Sequence, residues 1–138
     1  GIKYLPVYFE TIKNRLKPNG YAIIQAITIG EESFSNYSRN VDFIQKYIFP
    51  GGVLPSIKQL EKETMRNGLE IENINILNDS YEKTLQEWRN KFNNNWVNIK
   101  EIGYDEKFKR TWNYYLSYCE AGFAEKTINV GLYKIKSI

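Results

Sequence analysis

The order of segments predicts an α/β fold, a sheet with helices packed on its faces. Three observations carry this. Helical and extended patterns alternate along the chain, a run of isoleucines ending at glycine reads as a buried strand, and no repeat or low-complexity stretch competes. At 138 residues the chain fits one domain, 1–138, with room for a real core. Three strands leave a sheet edge and a helix face open, so the sheet is expected to be incomplete at its N-terminal side. Gly1 precedes a helical pattern already under way, which reads as part of a longer chain.

Leu5, Phe9, Ile12 and Leu16 recur at helical spacing, and Pro18-Asn19-Gly20 ends that helix. Tyr21 to Ile29 is almost continuously apolar and reads as a strand buried on both faces, of the kind parallel sheets contain. Glu31 to Arg39 reads as a polar surface loop, and Asp42 to Tyr47 as a short helix. Ser56 caps a further helix to about Arg66, with Gln59 placed to reach back in a capping box, and Asn67-Gly68 stops it.

Leu69 to Leu77 is a strand whose apolar parity changes midway, which a bulge or burial on both faces explains. Tyr81, Leu85, Trp88 and Phe92 form the stripe of a helix opened by Asp79 and Glu82 and ended by Asn93-Asn94-Asn95. Asp105 caps another helix, in which Phe108, Trp112, Tyr115, Cys119 and Phe123 share a face. Ile128, Val130 and Leu132 alternate with Asn129, Gly131 and Tyr133 in a closing strand.

Composition excludes several chemistries. There is no histidine, which removes Ser-His-Asp, Cys-His and His-zinc arrangements, and the single cysteine cannot form an internal disulfide. A metal is not expected. The Gly-x4-Gly-Lys-Ser/Thr and Gly-x-Gly-x-x-Gly phosphate loops are both absent. A formal charge of +3 is too mild to point to nucleic acid and leaves an anionic membrane surface open as a partner. With no membrane-length apolar run and one cysteine, a cytoplasmic location is expected, with peripheral contact at the inner membrane face. An aromatic content of 15% suits a chain that surrounds something apolar, although core packing accounts for much of it.

Tyr47-Ile48-Phe49-Pro50-Gly51-Gly52-Val53-Leu54-Pro55-Ser56 is too rich in proline and glycine for a helix or strand and too apolar for a disordered linker. It reads as an ordered loop lying on apolar surface, where it either makes a tight connection or walls a pocket. Ser56 reads as a cap rather than a nucleophile.

Three stretches carry a family resemblance: Asp42 to Ser56, then Tyr81-x-x-Thr84-Leu85-x-x-Trp88, then Phe108-x-Arg110-x-Trp112-x-x-Tyr115-Leu116-x-x-Cys119-x-x-x-Phe123. In this order and spacing the chain resembles cyclopropane-fatty-acyl-phospholipid synthase and the mycolic acid cyclopropane synthases. The resemblance implies the C-terminal part of a class I, Rossmann-like S-adenosylmethionine-dependent methyltransferase sheet, with the cofactor-binding motif upstream. It also implies transfer of a methylene to the cis double bond of a phospholipid acyl chain, with a bound bicarbonate taking the proton. The cofactor-binding half would then lie upstream in a longer protein or on a separate chain. Two other readings stay open, a related methyltransferase with another lipid or amine acceptor, and a truncated or split-gene product that catalyses nothing.

By the same resemblance, Tyr81, Gln25 and Ile27 form the bicarbonate site, Tyr81 by its hydroxyl and Ile27 by its backbone. Gln25 stands where the best-known members carry a histidine. It can donate a hydrogen bond but cannot carry a proton. Phe49, Gly51, Gly52, Leu54, Tyr115, Cys119 and Phe123 fall on positions beside the acyl-chain channel. Spacing alone leaves Tyr81 as either a stripe residue or a ligand, and reads Tyr115, Cys119 and Phe123 as core packing.

Overall fold

The computed structural model describes residues 2–37 and 39–138. It divides into a sheet unit, residues up to Leu77 with Thr127–Ile138, and a helical unit, Asn78–Lys126.

In the sheet unit a turn of 3₁₀ helix, Ile2–Tyr4, leads into α1, Leu5–Arg15. The predicted stripe is its buried side: Phe9 is fully buried, with Leu5, Ile12 and Leu16 packed around it. Asn19 takes the left-handed conformation that turns the chain into β1, Tyr21–Ile29. Helix α2, Glu31–Tyr37, occupies the segment expected to be a loop. Its first turn is held by the Gly30 carbonyl, which accepts from the Ser33 and Phe34 amides, and carries Glu31 and Glu32 where negative charge suits a helix start.

Residues 42–48 give a single π-helical turn, Ile44–Ile48, opened by a reciprocal box. Asp42 Oδ1 accepts from the Gln45 amide and Gln45 Oε1 from the Asp42 amide, both at 2.8 Å. Helix α3, Ile57–Arg66, starts as predicted, with Ser56 Oγ accepting from the Gln59 amide at 3.2 Å. Gln59 does not reach back: its Oε1 is buried and finds no partner among the described residues. Gly68 ends the helix at φ 64°.

Strands β2, Leu69–Ile76, and β3, Ile128–Ser137, complete a three-stranded sheet of order β1-β3-β2. β3 is antiparallel to both neighbours, so β1 and β2 run the same way without touching. The parity change in β2 is a bulge. Ile71 pairs with Ile135 and Asn73 with Lys134, leaving Glu72 as the extra residue. The bulge returns Ile74 to the face that Leu69 and Ile71 occupy, opposite Tyr133. That face packs on α1 and α3 around Phe9, Leu60, Leu69, Tyr133 and Ile135.

Burial of β1 on both faces is not observed. Its residues alternate, with Ile24 and Ala26 packed against the core and Tyr21, Ile23, Gln25 and Ile27 exposed. An antiparallel partner and a single helix layer produce the one-sided pattern. The uncovered face carries a charge ladder near the start of β1. Lys134 reaches Glu72 at 2.6 Å and lies over the Tyr21 ring, and Lys136 bridges Glu70 and Glu72.

The helical unit holds α4, Asn78–Asn94, α5, Trp96–Glu101, and α6, Glu106–Ala124. Helix α4 begins one residue earlier than predicted, so Asp79 lies inside its first turn instead of capping it. Asn78 is buried and donates to the Phe123 carbonyl at 3.1 Å. Asp105 caps α6 as predicted, accepting from the Phe108 amide at 2.7 Å. The short α5 has no counterpart in the predicted elements.

Candidate functional site

Strand register decides what β1 can offer a ligand. The Ile29 amide donates to the Pro55 carbonyl at 3.0 Å, while the Gly30 amide turns to Thr127 at the start of β3. Backbone groups alternate sides along a strand, so those of Ile27 and Gln25 point with Ile29, away from β3 and toward the outer edge. The Leu77 amide bonds to the Val130 carbonyl, so Val130, which faces Ile27 in the register, directs its own groups to β2, in agreement. Gln25 and Ile27 are thus two residues apart on one exposed face, next to an edge that presents polar backbone. Gln25 was expected inside a doubly buried strand, but its side chain stands on the exposed face.

The predicted loop wraps this end of β1. Phe49-Pro50-Gly51-Gly52 is a tight turn: the Gly52 amide donates to the Phe49 carbonyl at 2.9 Å and Gly51 has φ 77°. Proline followed by a left-handed glycine is type II turn chemistry. A Cβ on Gly52 would meet the Phe49 carbonyl oxygen at 3.0 Å. Turn geometry therefore accounts for both glycines. Phe49 was expected to lie on apolar surface but is 59% exposed, because the turn carries it outward. Leu54 is half-buried, and its amide donates to the Tyr37 hydroxyl at 3.4 Å. With Pro55 bonded to Ile29, the loop is tied to both α2 and β1.

In the helical unit, α4 and α6 pair along two flanks of different chemistry. One is polar. Glu120 Oε2 accepts from Arg89 Nη2 at 2.9 Å and Nε at 3.2 Å, and Asn93 and Asn113 exchange amide hydrogen bonds. The other is aromatic. Tyr81 meets Phe123 edge-on, with centroids 5.5 Å apart. Further along, Phe92 contacts Phe108, which stacks on Trp112, and Trp112 contacts Tyr115. Leu85, Leu116 and Phe123 are buried, whereas Tyr81, Phe92, Phe108, Trp112, Tyr115 and Cys119 remain partly open.

The structure therefore joins Tyr81 to Phe123 and Tyr115 to Cys119. Burial pushes the Tyr115 phenol above its usual pKa, and the nearby Cys119 thiol adds to the rise. Such a flank offers rings and one small thiol to an apolar ligand, with the Tyr81 and Tyr115 hydroxyls as its polar groups. Phe92, Phe108 and Trp112 belong to the same surface. Their helical spacing was legible, but it does not separate a wall from a core. Trp88, expected within the buried stripe, is 54% exposed. Among the described residues no group of His, Cys, Asp and Glu is placed to hold a metal, and no helix is long and apolar enough to cross a membrane.

Comparison with known proteins fits these features. The model of the mycolic acid cyclopropane synthetase family matches residues 1–133. The chain is 37% identical over 131 residues to a Mycobacterium tuberculosis protein named tuberculostearic acid methyltransferase UfaA1, covering 94% of this chain and 31% of that protein. It is 34% identical to the cyclopropane-fatty-acyl-phospholipid synthase of Escherichia coli, covering 32% of it. The chain therefore spans about a third of the length of these relatives. Its backbone superposes on the mycolic acid cyclopropane synthase CmaA1, solved with SAH and CTAB, with a TM-score of 0.87 at 24% identity, over 98% of this chain and 50% of that one. A phosphoethanolamine N-methyltransferase of Haemonchus contortus shares the fold at a TM-score of 0.71 and 16% identity. The three strands and their helices thus share the fold of part of these Rossmann-like domains.

Proposed function

The chain belongs to the mycolic acid cyclopropane synthetase family, and from that premise we propose that it forms the acceptor side of an S-adenosylmethionine-dependent enzyme that adds a methylene to the cis double bond of phospholipid acyl chains. The observation that carries this reading is the aromatic flank of the helical unit. An acyl chain laid along Tyr115, Cys119 and Phe123 would exchange water for apolar surface, and the faces of the rings favour positive charge that develops on the chain during transfer.

The residues present do not fit the methyl donor. The turn from β1 into α2 has a single glycine and opens on Glu31 and Glu32, and Glu31 is already engaged by the Lys58 amide at 3.0 Å. The donor is assigned to a cofactor-binding half, carried by the same polypeptide or by a separate chain. Isolated, the chain is expected to bind S-adenosylmethionine weakly or not at all by titration calorimetry. Tight binding would contradict the assignment.

Each unit by itself carries hydrogen-bond donors of the kind bicarbonate takes. The Ile27 amide faces the open edge of β1, the Gln25 carboxamide can donate, and the Tyr81 phenol can donate. Bicarbonate, when bound, would supply the base that takes the proton lost on ring closure. Tyr81, Gln25 and Ile27 would hold and orient that anion, and Gln25, unable to take up a proton, would only position it. Phe49, Gly51, Gly52 and Leu54 would border the entrance, the glycines by shaping the turn.

The test is initial rate against bicarbonate concentration for Tyr81→Phe, in a protein joining this chain to a cofactor-binding half. Loss of a hydrogen bond to a charged group costs about 1.5–3 kcal/mol, so turnover should fall roughly ten- to a hundredfold and recover in part with added bicarbonate. A wild-type rate with wild-type bicarbonate dependence would remove Tyr81 from the site. A second reading, methyl transfer without ring closure, is favoured by the identity to a protein named as a methyltransferase. Both routes lose one proton from the same cation, so a ring and a methyl-branched alkene have equal mass, and ozonolysis separates them because it cleaves only the alkene.

A further inference from the structure

The outer side of α6 is not a typical solvated face. With Leu116 marking the buried side, the 100° advance per residue places Lys107, Arg110, Tyr114 and Tyr118 in one opposite sector. Tyr114 and Tyr118 are 53% and 44% exposed, and their rings stack with centroids 5.8 Å apart at 16°. Lys107 and Arg110 are also exposed, and neither enters an ion pair among the described residues. Glu125 lies in the same sector but beyond the far end of the helix, so the basic end is the N-terminal one. Stacked phenols beside unpaired cations combine an apolar body, a polar tip and a positive rim. That is the composition that settles at the headgroup level of a bilayer, and its charge is complementary to anionic lipid.

We propose that this face of α6 docks the protein on the surface of an anionic phospholipid bilayer. The acyl-lipid reading supplies the reason for docking, but the docking itself is measured separately. Co-sedimentation of the chain with vesicles of phosphatidylglycerol, and with vesicles of phosphatidylcholine alone, should show preference for the anionic ones and release by salt. The double variant Lys107→Gln with Arg110→Gln should bind roughly 25-fold more weakly, at about fivefold for each charge near the surface. Tyr114→Ser with Tyr118→Ser should also weaken binding, by about tenfold or more for two amphipathic rings withdrawn from the interface. Lys107 and Arg110 are exposed, so the charge variant should melt like the wild type, and the tyrosine variant, which gives up one ring stack, should remain folded with a modestly lower melt.

Failure of the chain to bind anionic vesicles overturns the proposal, as does wild-type binding by both double variants. A dimer in sedimentation velocity that the tyrosine variant dissociates would give the face to a second copy instead, and overturn it too. The acyl-lipid reading is judged apart from this, by product formation on detergent-dispersed phospholipid in a protein that also carries the cofactor-binding half. Product there, with vesicle binding indifferent to both variants, rejects only the docking face. Its absence rejects the acyl-lipid reading whatever the vesicles show.

Discussion

In the sheet unit, Phe9, Leu60, Leu69, Tyr133 and Ile135 are each no more than 2% exposed, and they meet across a helix-covered sheet face. In the helical unit Leu85, Leu116 and Phe123 are buried, while Phe92, Phe108, Trp112 and Tyr115 form a chain of ring contacts that stays partly open. The first unit closes one sheet face into a core and leaves Tyr21, Ile23 and Ile27 exposed on the other. The second holds its rings in place and leaves one flank for something else to complete. Substitutions in the core of the sheet unit should therefore read out mainly as stability, and those on the aromatic flank as binding and turnover.

The largest expected effect is in the sheet core. Phe9→Ala should cost about 3–5 kcal/mol, since a fully buried ring leaves a cavity that the sheet cannot collapse into. Phe108→Ala, which removes a half-buried ring, should cost roughly 1–1.5 kcal/mol, about half the value of full burial. Denaturant melts of both variants make the comparison, and equal losses would break it.

A sharper contrast comes from overfilling the flank. Cys119→Trp should cost roughly 1–3 kcal/mol in stability and reduce turnover on phospholipid by far more than the melt explains. Unchanged turnover with an unchanged melt would place Cys119 away from the acyl chain. In the loop, Gly51→Ala forces a Cβ into φ 77° and should cost about 1–2 kcal/mol without altering the aromatic flank.

Alkaline pH distinguishes the units more gently. Burial raises the Tyr133 phenol above its ordinary 10.0, partly offset by its hydrogen bond to Thr28, and burial raises Tyr115 as well. Below the unfolded value both phenols are protonated in folded and unfolded chains, and their contribution is fully present. As pH rises toward the higher folded values, unfolding releases protons and stability falls. Melting temperature should therefore decline above about pH 10, with a shallower decline in Tyr133→Phe. The smallest effect is at Glu72, whose carboxyl is held below its usual value by hydrogen bonds from Lys134 and Lys136. Its contribution is present above the ordinary carboxylate pKa and is lost as pH falls through the depressed one. Glu72→Gln should flatten the acid side of the melting profile slightly, and more so at low salt.

Much of this was legible in the residues. The stripe through Phe9 and the caps Ser56 and Asp105 are where the pattern predicts, the loop at 47–56 is ordered as expected, and the bulge at Glu72 is one of the two explanations the parity change of β2 allowed. What was missed has a common cause. Helix α2 has only Phe34 and Tyr37 half-buried, and α5 only Trp96 and Ile99 turned inward, so neither helix repeats its period long enough to register. The apolar run of β1 resembles a strand covered on both sides, yet which faces are covered is set by partners distant in sequence. In α6 the shared face of Phe108, Trp112, Tyr115, Cys119 and Phe123 was visible, but spacing does not distinguish a core from a wall, and partial burial of the rings does. Gln25 and Ile27 were placed by family resemblance, and the outward direction of their backbone groups emerged only from the bond between Ile29 and Pro55.

The central claim is that an acyl chain completes the aromatic flank, and photolabelling tests it most directly. A phospholipid with a photoreactive group midway along its acyl chain would be irradiated with a protein joining this chain to a cofactor-binding half, and the labelled residues read by peptide mass. The account predicts label on Tyr115, Cys119 and Phe123, competed by unmodified phospholipid and reduced in Cys119→Trp. Label confined to the sheet unit, or label on α6 that unmodified phospholipid does not displace, would contradict it.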